Sequence, residues 1–460
     1  MKINPGIFKA YDIRGIYNKD FNDETAYKIG LAFAQMRKVE LGKVDGINLL
    51  VASDMRISSP ALKKRLIEGL IDAGINVIDA GLISTPTFYH SVAHNNFDGG
   101  IIVTASHNPG EYNGFKMVRE KAKPFSKDSG MDVLREMVIY GNYSSAERKG
   151  SEEKNDNYLR KQIEHDIDYA DISKIKPFKI VIDPANSMGI TYFDELFKNI
   201  PCELVRINWE LDGSFPAHEA DPLKPENLVE LSEAVKREKA DIGITTDGDG
   251  DRIFFVDNTG EPVESGIARA IFSKIFLREN PGAKIAYDIR PGKITHDIIK
   301  EHGGEPIVTK VGHSLIKEHA VREGAVFAGE SSGHFFLNME AGCYEIPVIA
   351  TVKLLEELSE AGVSFSDYVK EYKRYHNSGE INSVVEDTEG KIRELIELHK
   401  EAKQNDLDGI TIEYPDYWFN VRKSNTEPLL RLNLEAIEQE IMEIKRDEVL
   451  EFLRNINNEK

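Results

Sequence analysis

The sequence predicts an α/β protein: three related α/β domains with mixed, largely parallel sheets, then a smaller α+β domain at the C-terminal end. Two observations carry that prediction. The first is self-similarity. "INLLVASDMRISSPALKKRLIEGLIDAGINVIDAG", "FKIVIDPANSMGITYFDELFKNIPCELVRIN" and "AKIAYDIRPGKITHDIIKEHGGEPIVTKVG" share one pattern. In each, a short apolar run meets an aspartate (Asp54, Asp183, Asp288), and a helix-period segment and a second apolar run follow. That is the βαβ unit of a parallel sheet. The second observation is a change of pattern from about residue 373. There "SGEINSVVED", "GITIEYP", "WFNVRKS" and "PLLRLNLEA" read as strands, beside the helical "GKIRELIELHKEAKQ" and "IEQEIMEIKRDEVLEFLRNI". The polar stretch "YSSAERKGSEEKNDNY" is expected to open a helical connection between the first two repeats. The expected domains are 1–152, 153–255, 256–372 and 373–460.

Each repeat runs on to a further apolar strand that ends in a polar loop: "GGIIVTASHNP", "ADIGITTDGDGDR" and "GAVFAGESSGH". Ligands of open α/β sheets sit at the carboxyl ends of strands, so these three loops are expected to wall one site.

Composition narrows the class. The chain has 460 residues, of which 41% are hydrophobic and 30% charged, enough for several cores. Its 58 basic and 78 acidic residues give a net charge of −20, which argues against a general nucleic-acid or anionic-membrane surface. Cys202 and Cys343 form no CxxC pair, which fits a reducing cytoplasm. The first residues, "MKINPGIFKAYDIRG", carry no apolar core of a signal peptide, and no run approaches the roughly 18 apolar residues of a membrane span. A soluble cytoplasmic protein is expected, with small-molecule partners.

The loop "TTDGDGDR" sets three aspartates at alternate positions. An EF-hand would need glycine and glutamate where Arg252 and Asn258 stand, and the preceding "DIGITT" reads as a strand. A different divalent site remains: Gly248 and Gly250 let the backbone curl so that Asp247, Asp249 and Asp251 converge on a hard cation. Magnesium accepts such incomplete coordination when it shares a phosphate. Ser106, in "TASHNP", is the candidate nucleophile, and a phosphate on it would supply the missing anionic ligand. Its neighbour His107 also leaves open a hydrolase-like Ser/His pair. In "VRKSNTEPLLR", a hairpin turn at 425–428 sets Arg422 opposite Arg431 beside Ser424, Asn425 and Thr426. Two facing guanidiniums make sense with a dianion between them. "GESSGH" offers Glu330, Ser332 and His334 to a polyol, and "FKAYDIRG" offers Tyr11 and Arg14.

Taken in order, "AYDIRG", "TASHNP", "YNGFK", "DGDGDR", "VGHS", "GESSGH" and "RKSNTEPLLR" resemble the α-D-phosphohexomutase family, phosphomannomutases and phosphoglucomutases included. The resemblance spans essentially the whole chain and implies four domains around a central cleft. It implies reversible conversion of hexose 1-phosphate to hexose 6-phosphate, of mannose or glucose, through a hexose 1,6-bisphosphate. Phosphorylated Ser106 with Asp247, Asp249 and Asp251 would hold Mg2+. Arg14, Arg252 and Lys116 would offset negative charge, with Lys116 and His334 as candidates for proton transfer at sugar hydroxyls. Substrate phosphate would dock on Arg422, Ser424, Asn425, Thr426 and Arg431. Glu330 and Ser332 would meet the sugar, His313 and Arg290 would lie near the phosphate, and Tyr11 would contact the substrate. Three features depart from the family pattern: Arg290 where lysine is common, "AGCYEIPVIA" where an acidic DG motif is common, and Ser331 at the variable sugar-loop position. "YNGFKMV" favours the phosphomannomutase/phosphoglucomutase branch. A phosphoglucosamine mutase is the alternative, followed by a catalytically silent sugar-phosphate-binding protein. A monomer or homodimer is expected.

Overall fold

A computed structural model of the chain describes residues 3–141, 143, 146–423 and 429–454. The chain divides into two compact units, Met1–Val263 with Ser332–Tyr368, and Glu264–Ser331 with Val369–Lys460.

The first unit contains two sheets built on the first two repeats. In one, Asn48–Ser53 lies parallel to both Asn76–Leu82 and Gly99–Val103. Tyr112–Arg119 returns antiparallel to Gly99–Val103, and Ile13–Ile16 closes that edge antiparallel. The central strand is buried at every residue but its first, which is why it reads as an unbroken apolar run. In the other sheet, Lys179–Asp183 lies parallel to Glu203–Arg206 and Ile242–Thr246, and Ile253–Asp257 returns antiparallel. Loops 104–111 and 247–252 are therefore hairpin connections, each at the carboxyl end of a parallel strand. A further antiparallel pair, Phe335–Asn338 with Cys343–Glu345, belongs to the same unit.

The second unit carries the third repeat, with Lys284–Asp288 parallel to Glu305–Thr309 and to Phe327–Gly329. It also carries an antiparallel sheet in which Leu429–Ala436 pairs with Tyr417–Lys423, His376–Asn377 and Ile381–Val384. Ile410–Glu413 and Lys403–Asn405 extend that sheet. The closing helix, Gln439–Arg454, buries Met442, Val449, Leu450 and Leu453 in one core with Leu430, Leu432 and Leu434. The α+β tail is thus as the alternation of its strands predicts.

The polar connection after the first repeat leads into a helix as expected, and one element that the sequence does not signal precedes it. Before its helix, Tyr158–Ile167, it forms a short strand, Glu152–Lys154, parallel to Asn76–Leu82. All three residues are exposed, and a charged, three-residue edge strand of this kind resists pairing with other chains. Alternating burial, the usual sequence signal of a strand, is absent there.

Candidate active site

The aspartate that meets the first strand of each repeat is buried and fixes the turn after it. Asp54 Oδ1 accepts from Arg56 N at 3.0 Å, and Asp183 Oδ1 from Ala185 N at 2.9 Å. Asp288 Oδ2 accepts from Arg290 Nε at 2.8 Å and from Ser331 N at 3.1 Å. Asp54 and Asp183 are therefore local backbone clamps, while Asp288 holds the Arg290 side chain and the distant Ser331 amide, all through charge-assisted hydrogen bonds.

Ser106 follows the Asp54 clamp in space. Arg56, itself buried, donates to the carbonyl oxygens of Ser106, Asn108, Pro109 and Tyr112 at 2.7, 2.6, 2.7 and 3.0 Å. One guanidinium thus ties down the whole loop. Ser106 takes a left-handed backbone with φ of 52°, a conformation that costs energy for a non-glycine residue and persists only where neighbours enforce it. Its amide donates to Thr104 Oγ1 at 3.0 Å, and its Oγ donates to Asp247 Oδ2 at 2.8 Å. His107 Nδ1 is 3.2 Å from the same oxygen. Burial, with Arg252 and Arg14 nearby, pushes His107 well below the usual imidazole range, so it is neutral.

The sequence-predicted acidic cluster is formed, and it is fully buried: Asp247, Asp249 and Asp251 offer carboxylate oxygens within 4.8 Å of one another. Two glycines make this possible. A Cβ on Gly248 would lie 2.2 Å from Ser106 O, and Gly250 has φ of +76° with its carbonyl bound by Tyr192 Oη at 3.1 Å. Thr85 binds the cluster from the N-terminal end of helix Thr85–His94, Oγ1 donating to Asp249 Oδ2 at 2.6 Å. Lys116 Nζ donates to Asp249 Oδ2 at 2.6 Å and to Asp251 Oδ2 at 2.5 Å. Burial alone would lower the Lys116 pKa, but Asp249 and Asp251 outweigh it and hold it well above the usual range. Burial and the neighbouring Asp251 and Asp249 push Asp247 up to about 7. Three buried carboxylates beside one ammonium retain excess negative charge, and a proton on Asp247 is one way to relieve it. A divalent cation is the other. Asp249 Oδ1 is buried with no hydrogen-bond partner among the described residues, so the donor set fits a hard, oxygen-seeking ion.

Other candidates gather at the same place. Arg252 N donates to Asp247 Oδ1 at 3.2 Å, and its Nε reaches His334 Nε2 at 3.4 Å. Its Nη1 is buried without a hydrogen-bond partner among the described residues, 3.8 Å from Asp221 Oδ1. His334 Nε2 lies 3.1 Å from Asp251 Oδ1, and Ser332 Oγ 3.0 Å from His334 Nδ1. Arg14 is held by Asp12 through Nε at 2.8 Å and by Asn108 Oδ1 at 2.8 Å. Burial would lower the Arg14 pKa; Asp12 and Asp249 reverse this and raise it. Tyr11 stands half-buried in the turn just before.

The second unit brings together the remaining candidates that are described. Arg422 lies directly opposite Arg431, as the strand alternation predicts. Glu380 bridges the pair: Arg422 Nη2 donates to Oε2 at 2.5 Å and Arg431 Nη1 to Oε1 at 3.1 Å. Burial would raise the Glu380 carboxyl, but Arg422, Arg431 and Arg290 hold it below its ordinary value. Ser424, Asn425 and Thr426 lie outside the described residues. Glu330 is buried and accepts from Gly312 N at 3.0 Å, one residue before His313, which begins helix His313–Glu323. Ser331 Oγ donates to Asp288 Oδ1 at 2.9 Å and accepts from Arg269 at 3.0 Å. That residue is therefore fixed by the third-repeat aspartate.

Sequence reasoning missed Arg56, Glu380 and Arg269. Arg56 had a signal, since Asp54 and Arg56 repeat the Asp-X-Arg spacing of Asp12 and Arg14 and of Asp288 and Arg290. Glu380 had none, because its two partners lie 42 and 51 residues away.

The likeness to known proteins runs along most of the chain. Successive stretches match "Phosphoglucomutase/phosphomannomutase, alpha/beta/alpha domain I" at residues 5–138, domain II at 156–260 and domain III at 267–375. The C-terminal domain of the same family matches at 380–451. A phosphomannomutase of Vibrio cholerae is 38% identical, with 98% of each chain covered. A phosphomannomutase/phosphoglucomutase of Pseudomonas aeruginosa is 36% identical over 95% of this chain and 94% of its own. The crystal structure of a phosphoglucomutase/phosphomannomutase family protein from Burkholderia thailandensis superposes with a TM-score of 0.88 at 32% identity, covering 98% of this chain and 97% of that one. With its four domains and its full length accounted for, the chain belongs to the phosphoglucomutase/phosphomannomutase family of phosphohexomutase isomerases.

Proposed function

We propose that the chain interconverts hexose 1-phosphates and hexose 6-phosphates of mannose and glucose, carrying the phosphoryl group on Ser106. The observation that supports this most directly is Ser106 Oγ, 2.8 Å from a carboxylate of the buried cluster whose Asp249 Oδ1 has no hydrogen-bond partner among the described residues. Asp247, Asp249 and Asp251 are the residues that would hold Mg2+, which supplies charge neutralisation to a phosphoryl group in transfer.

In the resting enzyme Ser106 is phosphorylated. Arg422 and Arg431 bind the existing phosphate of hexose 1-phosphate, displacing Glu380, while Glu330 and Ser332 hydrogen-bond the sugar. The free 6-hydroxyl attacks the phosphorus on Ser106, the bond from phosphorus to Ser106 Oγ breaks, and the hydroxyl proton leaves to a base. His334, fixed between Ser332 and Asp251, is positioned to move such a proton. Lys116 is an ammonium on Asp249 and Asp251, so its part is charge neutralisation and proton donation, not proton abstraction. Arg14 and Arg252 offset charge as it spreads over the phosphoryl oxygens. The 1,6-bisphosphate then presents its other phosphoryl group. Ser106 Oγ attacks it, giving hexose 6-phosphate and restoring the phosphoenzyme. The left-handed backbone at Ser106 and the hydrogen bond of its Oγ to Asp247 support a fixed place for the phosphoryl carrier. Arg290, His313 and Tyr11 complete the substrate contacts in this scheme.

Intact mass tests the carrier. One phosphate per chain is expected, absent from Ser106→Ala, whose mutase activity should fall at least ~10^3-fold. Full activity in Ser106→Ala would overturn the mechanism. Assays with mannose, glucose and glucosamine 1-phosphates test the substrate, and turnover of the glucosamine compound alone would overturn that assignment.

A further inference from the structure

Away from the acidic loop, the first unit assembles three imidazoles. His90 and His94 lie one turn apart on helix Thr85–His94, the i, i+4 spacing that sets two histidines on one helix face. His165 comes from helix Tyr158–Ile167. The rings are in contact, with centroids 4.3 Å apart for His90 and His94, 4.9 Å for His90 and His165, and 4.5 Å for His94 and His165. One ligand nitrogen from each lies within 4.8 Å of the other two.

Two features distinguish this group from an aromatic packing cluster. His90 is 3% exposed, yet neither of its ring nitrogens has a hydrogen-bond partner among the described residues. An apolar ring would fill that place without leaving buried polar atoms unsatisfied. The other two rings are held from outside. His165 Nδ1 is 2.8 Å from Asp166 Oδ1, and a proton on Nδ1 shared with that carboxylate leaves the Nε2 lone pair free. His94 Nε2 is 2.8 Å from the Tyr344 hydroxyl. Orientation of ligating histidines by carboxylates and other polar groups behind them is the usual support of a metal centre. Asp166 is itself buried and fixed by Gln162 Nε2 at 3.0 Å, and Gln162 Oε1 accepts from Thr87 Oγ1 at 2.6 Å, back on the first helix.

We propose that His90, His94 and His165 form a binding site for a late first-row divalent ion such as Zn2+, separate from the all-carboxylate cluster. Imidazoles select such ions, whereas Asp247, Asp249 and Asp251 select a hard cation such as Mg2+. Zinc bonds to histidine nitrogen are about 2.0–2.1 Å, so the three rings close inward by small rotations when the ion enters. The ion has a path: His94 and His165 line a surface cavity of ≈ 690 Å3 together with Tyr169, Asn96 and Met339. Bound there, it clasps helix Thr85–His94 to helix Tyr158–Ile167. The first of these helices also carries Thr85, whose backbone N and Oγ1 both donate to Asp249, at 3.0 and 2.6 Å.

The test uses the full chain, stripped with a chelator and held in excess Mg2+ so that the carboxylate cluster is filled. Zn2+ is titrated against a chromophoric competitor, and Co2+ is added separately as a spectroscopic probe. Expected are one Zn2+ per chain, a rise in Tm with Zn2+, and the intense visible band of Co2+ in a low-coordinate nitrogen site. His90→Gln and His165→Gln should each weaken Zn2+ at least tenfold, and Asp166→Asn about 10–100-fold. His165 is partly exposed, so its variant keeps the test sound should His90→Gln fail to fold. A second group that could hold an ion, Asp183 with His218 and Glu230, is controlled by His218→Gln, which should leave Zn2+ binding intact. The proposal is overturned by no Zn2+ bound at micromolar concentration, by equal affinity in His165→Gln, or by loss of binding in His218→Gln.

Discussion

The acidic loop of the first unit and the arginine pair of the second are charge-reversed counterparts. In one, Asp247, Asp249 and Asp251 gather negative charge and Lys116 answers it. In the other, Arg422 and Arg431 gather positive charge and Glu380 answers it. Both sites thus hold an internal counter-ion where a ligand of the same sign is expected to act. They differ in depth. The Lys116 side chain is 4% exposed and its carboxylates 0%, whereas Glu380 is 28% exposed and Arg431 29%. Charges removed from water interact far more strongly, so Lys116 is a fixed part of its site and Glu380 an exchangeable one.

The largest effect that would break this comparison is expected from Lys116→Met. Removing the ammonium leaves the carboxylates without their built-in cation, and kcat should fall ~10^2–10^3-fold, the scale of losing one charge-stabilising donor. The concentration of Mg2+ needed for half-maximal activity should also fall, because a competitor has gone. An unchanged Mg2+ requirement would mean that Lys116 is not the counter-ion.

Next comes Arg422→Ala. Loss of a charge-assisted hydrogen bond to phosphate is worth about 1.5–3 kcal/mol, so KM for hexose 1-phosphate should rise roughly 10–100-fold. The Mg2+ requirement should stay as in the wild type; equal effects on both would refute the division of labour between the two sites.

Glu380→Gln sharpens the exchangeable half. With the competing carboxylate neutralised, inorganic phosphate should inhibit about 2–5-fold more tightly, while facing arginines lower stability by about 0.5–1 kcal/mol. Calorimetric titration with phosphate and a thermal melt measure the two. Weaker phosphate binding would show that Glu380 orients the arginines instead of blocking them.

The smallest expected effect concerns the second repeat, where Asp183 is met by His218 at 3.0 Å and not by an arginine. The hydrogen bond to Asp183 raises the His218 pKa above its ordinary 6.5, against the opposing effect of burial. The pair therefore stabilises the fold fully below about pH 6.5 and loses that contribution as pH rises through the raised value. The Tm difference between wild type and His218→Gln should be widest in acid and shrink in alkali. A difference that grows with pH would contradict the pairing.

How much of this was legible depended on distance along the chain. Asp247, Asp249 and Asp251 converge because glycines separate them within five residues, so their spacing alone announces a converging acidic cluster. Arg422 faces Arg431 because a short turn and strict alternation fix a hairpin register. The repeats were legible for the same reason, each being a local strand–helix–strand pattern. The edge strand Glu152–Lys154 was not, because it buries nothing and leaves no alternation.

What the sequence by itself determined is the inventory: the repeats, the acidic loop, the serine on its strand-end turn and the facing arginines, all set by near-neighbour spacing. What only the tertiary structure decided is which distant charge answers each of them. Lys116 meets Asp249 across 133 residues, Arg56 holds the Ser106 carbonyl across 50, and His94 meets Tyr344 across 250. Such pairings follow from how sheets and helices pack, and the energy that selects them is set by burial, which no local spacing encodes.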